Sequence, residues 1–133
     1  MSSAQIPVTV TTASGRITGV RRDGLHYFHS VRYSTIPSDY SPAEPLDGAL
    51  DQDAREPRPN DIALSITAPA DAAECPVVVY IHGGRFEHGS HEDPRLTGTK
   101  NARHGVVQVN VGYRVGLAGF ARFDGDEADR YRG

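Results

Sequence analysis

The sequence predicts an α/β fold in which a small antiparallel hairpin sheet precedes a parallel βαβ unit. Three observations carry that prediction: short alternating segments joined by turn residues, an all-apolar run at Pro76-Val77-Val78-Val79-Tyr80-Ile81, and a helix-then-strand pattern directly after it. At 133 residues the chain has room for one domain with a modest core. Hydrophobic residues at 38% and charged residues at 23% exclude wholesale disorder. A net charge of −3 excludes a nucleic-acid binder that works by bulk electrostatics, and it offers no polybasic face to a membrane. The longest apolar run, Val77 to Ile81, is too short to cross a bilayer as a helix.

Residues 8–37 read as an antiparallel meander. Val8-Thr9-Val10-Thr11-Thr12 is β-branched and ends at Ser14-Gly15, Arg16 to Val20 alternates with period two, and Asp23-Gly24 is a hairpin signal before Leu25-His26-Tyr27-Phe28. Residues 38–60 are rich in proline and acidic side chains and lack apolar periodicity, so an irregular surface segment is expected. Residues 61–133 change character. Ile62 to Ile66 is a short strand, stopped by Pro69; Pro76 to Ile81 is apolar on both faces, as a strand covered above and below would be. A helix over Leu96 to Arg103 with Gly105 as its C′ residue, then Val106 to Val111, completes a βαβ crossover. Asp124 to Asp129 reads as a solvated acidic connection.

Met1 to Pro7 has no basic region and no apolar segment, so no signal peptide is read and a cytoplasmic protein is expected. The single Cys75, a surface or strand-end thiol beside Pro76, agrees with that compartment.

His82-Gly83-Gly84-Arg85-Phe86 is placed to do chemistry. Glycines at the C-terminal end of a parallel strand let the backbone turn sharply and bring N–H groups close to a ligand. By itself the tripeptide is equally a glycine turn ending a buried strand. The surroundings favour chemistry. Thr11 to Gly19 is similar to the opening hairpin of the type-B carboxylesterases, the family of cholinesterases and bacterial para-nitrobenzyl esterases. Phe28-His29-Ser30-Val31-Arg32-Tyr33-Ser34 is similar to that family's F-x-G-I-P-Y-A segment. Pro76 to Ser90 resembles its P-V-x-V-x-I-H-G-G-G-F-x-x-G-S block, and Val107 to Phe120 its N-Y-R-x-G-x-x-G-F strand end.

The resemblance implies the N-terminal part of an α/β-hydrolase fold, with the first strands of its central mixed sheet, and, for the parent protein, hydrolysis of small carboxylic esters with no cofactor. It implies that Gly84 and Arg85 lend backbone N–H groups to an oxyanion hole while Gly83 permits the turn, with His82, Phe86 and Arg114 in support. Three departures stand out. Arg85 occupies a position where the family has Gly or Ala, Gly112 replaces the Asn before Tyr113-Arg114, and the segment around Asn60 lacks the cysteine of secreted members. No G-x-S-x-G occurs, and Ser90 matches the family's structural Gly-Ser. In this family the Ser, acid and His all fall further along the chain. The 133 residues are therefore expected to be an inactive N-terminal fragment of a serine carboxylesterase. The alternative is a fragment of a catalytically dead, cholinesterase-like binding or adhesion protein. Open sheet edges would be met by the rest of the parent chain or by self-association.

His82, His88 and His91 lie beside Glu87, Glu92 and Asp93, but at no metal-ligand spacing, so the expectation is a solvated polar loop and no metal. His82 is expected to brace the backbone near the hole. His26 and His29 are expected in surface or half-buried strand positions. Arg114 is expected to be buried in an ion pair, with Asp61 or a group outside the chain as partner.

Overall fold

The computed structural model describes residues 4–46, 48 and 50–125. The acidic stretch from Asp126 onward lies outside the described residues. Three strands open the chain, β1 (Ile6–Thr12), β2 (Gly15–Arg22) and β3 (Leu25–Arg32), and they pair antiparallel as the hairpin signals predict. The β2–β3 turn places Asp23 and Gly24 at φ 51° and 76°, the conformation Asp-Gly supplies most cheaply. Residues 34–53 add only two-residue strands, β4 (Ser34–Thr35), β5 (Glu44–Pro45) and β6 (Gln52–Asp53). Strand β7 (Ala63–Pro69) then pairs antiparallel with β3, with a bulge between Phe28 and Val31.

Strand β8 (Val77–Ile81) is followed by a 3-10 turn at Pro94–Leu96, helix α1 (Thr99–Arg103), β9 (Val107–Val111) and a short helix α2 (Gly116–Phe120). Strands β8 and β9 pair in parallel, as a βαβ crossover requires. Helix α1 ends as expected at Gly105 (φ 80°), with Gly105 N–H on the Ala102 carbonyl and Val106 N–H on the Asn101 carbonyl.

Two expectations change. The meander and the mixed sheet are one continuous sheet, ordered β1-β2-β3-β7-β9-β8 with β6 beside β2, because β7 bonds β3 on one side and β9 on the other. Strand β8, expected to be covered on both faces, lies at the sheet edge and all five of its residues are exposed. Helix α1 packs instead over β3, β7 and β9, where Ala102 joins Val20, Leu25 and Tyr27. The opposite face gathers Phe28, Val31 and Ala54 over Val8, Ile17, Leu64 and Ile66. Among the described residues no helix is long and apolar enough to cross a membrane.

Candidate functional site

The register of β8 delivers His82 at its C-terminal end, directly before the glycine loop. The imidazole is buried and stacks on Tyr113 with ring centroids 4.4 Å apart. Its Nδ1 lies 2.7 Å from the Gly83 carbonyl, which can only accept, so Nδ1 carries the proton. The Tyr113 hydroxyl in turn donates to the His82 carbonyl. His82 therefore braces the start of the loop, as the sequence suggests.

Beyond it three successive residues take positive φ: Gly84 at 141°, Arg85 at 57° and Phe86 at 66°. For a residue with a Cβ the left-handed region costs about 1–2 kcal/mol. The loop holds this conformation with its own bonds, Glu87 and His88 N–H on the Gly84 carbonyl at 3.0 and 3.2 Å, and Gly116 N–H on the Phe86 carbonyl at 2.5 Å. Phe86 adds an edge contact to Phe120, 4.8 Å between ring centroids. The glycine that makes the turn is Gly84, where a Cβ would stand 1.7 Å from the His88 carbonyl oxygen. Gly83, expected to permit the turn, has no positive φ, and a Cβ there would meet open space. Among the described residues the N–H groups of Gly83, Gly84, Arg85 and Phe86 find no acceptor.

A cavity of about 510 Å³ lies behind this loop, lined in part by His82, Gly89, Ser90, His91, Tyr113 and Arg114. Gly83, Gly84 and Arg85 do not line it.

Arg114 is buried, as expected, but its partners are not carboxylates. Its Nη1 donates to the Ser41 carbonyl at 2.6 Å and reaches the Asp39 carbonyl at 3.4 Å. Asp61 pairs with Arg58 instead, at 2.9 Å. The carbonyls of Asp39 and Ser41 both meet the guanidinium, so Arg114 pins that otherwise irregular stretch by charge-assisted bonds.

The loop carrying the three clustered histidines is not uniformly solvated, because His91 is 1% exposed. Its Nε2 sits 2.9 Å from Ser30 Oγ, and Ser30 Oγ sits 3.1 Å from Glu92 Oε1. Glu92 also accepts from Ser30 N–H at 2.8 Å and meets His29 Nδ1 at 2.8 Å. Arg58 N–H donates to Ser30 Oγ and its Nη2 to the Ser30 carbonyl. Burial pushes the His91 imidazole below the ordinary histidine range. Burial acts to raise the Glu92 carboxyl, but hydrogen bonds from His29 and Ser30 outweigh it and leave the group below the usual carboxylate value.

This Ser-His-Glu grouping is not wired as a nucleophilic triad. The carboxylate lies on the serine side, while His91 Nδ1, which an orienting acid would hold, has no partner among the described residues. Ser30 is fully buried and cannot meet a substrate. Ser90 is likewise structural, donating to the Pro59 carbonyl and accepting from Glu92 N–H. Among the described residues no group of three metal-ligating side chains forms.

Sequence reasoning missed this cluster, although two signals marked it. Ser30 stands where the resembled F-x-G-I-P-Y-A segment has glycine, and it keeps glycine's conformation at φ 51°. Gly112 replaces an Asn because the His91 ring fills that space: a Cβ at Gly112 would lie 2.4 Å from His91 Nδ1.

A mixed sheet whose parallel strand feeds a strained glycine loop with unbonded amides is α/β-hydrolase architecture. Residues 60–130, more than half of the chain, match the profile of the Carboxylesterase family. The chain belongs to that family. It is 31% identical to the para-nitrobenzyl esterase of Bacillus subtilis over 84% of this chain and 28% of that protein. It is 30% identical to the phenmedipham hydrolase of Pseudarthrobacter oxydans over 91% of this chain and 30% of that protein. Among solved structures, the Geobacillus stearothermophilus carboxylesterase EST55 matches with TM-score 0.76 and 32% identity, over 84% of this chain and 27% of that one. The chain thus spans less than a third of the length of these relatives.

Proposed function

We propose that this chain contributes the oxyanion-binding loop of a serine carboxylesterase acting on small carboxylic esters, as the names of its relatives suggest. In this reading the nucleophile, base and orienting acid come from the additional length those relatives possess, and the 133 residues alone do not turn over an ester. The reading rests on one observation: directly after a parallel strand, backbone amides at Gly83 to Phe86 are left without acceptors by a turn held at positive φ. Such donors stabilise the oxygen of a tetrahedral intermediate, and losing one costs about 10²–10³ in kcat. Gly84 and Arg85 are the donors in this account. Arg85 lends its N–H; its side chain is not required.

The same reading gives β8 a covering. Its apolar residues are apposed in the whole protein by further layers of sheet and helix, which also close the site in front of the amides. The test is Gly84→Ala in the full-length polypeptide, assayed on para-nitrophenyl acetate. A fall in kcat of about 10²-fold or more, measured at a temperature where the variant is folded, supports the reading; a loss of stability is expected beside it, because the added Cβ meets the His88 carbonyl. Unchanged kcat overturns it, and an inactive full-length protein with its loop intact would favour the binding-protein alternative.

A further inference from the structure

The amide loop is held at both ends. Its start is braced by the His82 ring stacked on Tyr113 and by the Tyr113 hydroxyl on the His82 carbonyl. Its far end, at Ser90 to Glu92, is held against the central strand β3 by the densest set of side-chain hydrogen bonds near the site. Glu92 Oε1 accepts Ser30 N–H at 2.8 Å and lies 3.1 Å from Ser30 Oγ, while Oε2 meets His29 Nδ1 at 2.8 Å. The partners sit at the bulge between Phe28 and Val31, where Ser30 is fully buried yet held at φ 51°. A non-glycine residue kept in that conformation marks a place where surrounding contacts override local preference. The conformation turns the Ser30 N–H out of the β3 ladder and onto the carboxylate. From the other side Arg58 closes the clasp on Ser30 Oγ and its carbonyl, and Ser90 ties the loop to Pro59.

We propose that Glu92 is a positioning residue for the amide loop: through Ser30 and His29 it fixes residues 82–91 to β3, so that the N–H groups of 83–86 keep a single geometry. Its catalytic consequence rests on the oxyanion reading above, but the clasp does not. Preorganised donors work only when held, and a displacement of about 1 Å can cost on the order of 10²-fold in rate.

The test uses the full-length protein carrying Glu92→Leu, with Glu92→Gln and His29→Leu beside it. Hydrogen exchange is followed at the Glu87, His88 and Gly116 amides, which are bonded within or onto the loop, and at Ser65 and Val109 in β7 and β9. Glu92→Leu is expected to speed exchange at the loop amides by about tenfold or more and to leave the strand amides nearly unchanged. It is also expected to lower kcat by about tenfold with KM nearly constant. Glu92→Gln, whose amide oxygen still accepts from Ser30, recovers most of both. His29→Leu removes one partner and gives the same pattern at smaller amplitude, which keeps the test valid if Glu92→Leu does not fold. Equal acceleration of loop and strand amides, or none at the loop, overturns the proposal. Faster loop exchange with unchanged kcat leaves the clasp standing and overturns the oxyanion reading instead.

Discussion

Strand β3 reads Leu-His-Tyr-Phe-His-Ser-Val-Arg and is buried or half-buried along nearly its whole length, whereas β8 reads Val-Val-Val-Tyr-Ile and is exposed throughout. Composition alone would order them the other way. Position in the sheet decides: β3 lies between β2 and β7 with clusters on both faces, whereas among the described residues β8 has a neighbour on one side only and is exposed along its length. His29 and Ser30 tolerate burial because they find partners, His29 on Glu92 and Ser30 on Glu92, His91 and Arg58. A buried polar group that is fully bonded costs little, whereas an apolar residue in water forfeits the gain that burial would bring.

Substitutions in β3 are expected to act most strongly. Phe28→Ala, in a side chain only 7% exposed, is expected to destabilise the chain by about 3–5 kcal/mol in urea unfolding. Gly112→Ala should cost about 1–3 kcal/mol by forcing a Cβ onto His91. The same substitution made with His91→Ala should recover part of that loss, which a double-mutant cycle measures.

Acid sharpens the contrast between the polar cluster and β8. His91 and Glu92 both have folded-state pKa values below their ordinary 6.5 and 4.5, so each binds protons more readily when unfolded. Their contribution is whole above those ordinary values and is lost as pH falls below them, from 6.5 for His91 and from 4.5 for Glu92. Stability measured from pH 8 downward should start to decline near pH 6.5, and His91→Gln should reduce that first decline while leaving the part due to His26, which burial also pushes below the ordinary histidine value.

Smaller effects belong to the loop and the edge. Arg85→Gly relieves φ 57° and should stabilise by roughly 1 kcal/mol. Val79→Ala, at a residue 59% exposed, should change the stability of the 133-residue chain by no more than about 0.5 kcal/mol. In the full-length polypeptide it should cost more, because the proposed layers cover β8; an equal effect in both contexts would contradict that covering.

Much of this fold was legible in the chain. Asp23-Gly24 fixed one hairpin, Gly105 marked the end of α1, and the glycine loop fell where a parallel strand ends. The burial of β8 was not legible, since an apolar run reports the environment a strand is suited to and not the layers packed on it. Arg114 was expected inside, with Asp61 or a group beyond the chain as partner; the carbonyls of Ser41 and Asp39 that it meets leave no trace in side-chain chemistry. The Glu92 clasp joins residues some sixty positions apart, and periodicity carries no information at that range.

A crystal structure of the full-length protein treated with an alkyl phosphonate ester would test the central claim most directly. A phosphonyl oxygen is expected within about 2.7–3.1 Å of the Gly84 and Arg85 nitrogens. A phosphonyl oxygen held by other donors, with these amides turned to solvent, would contradict it.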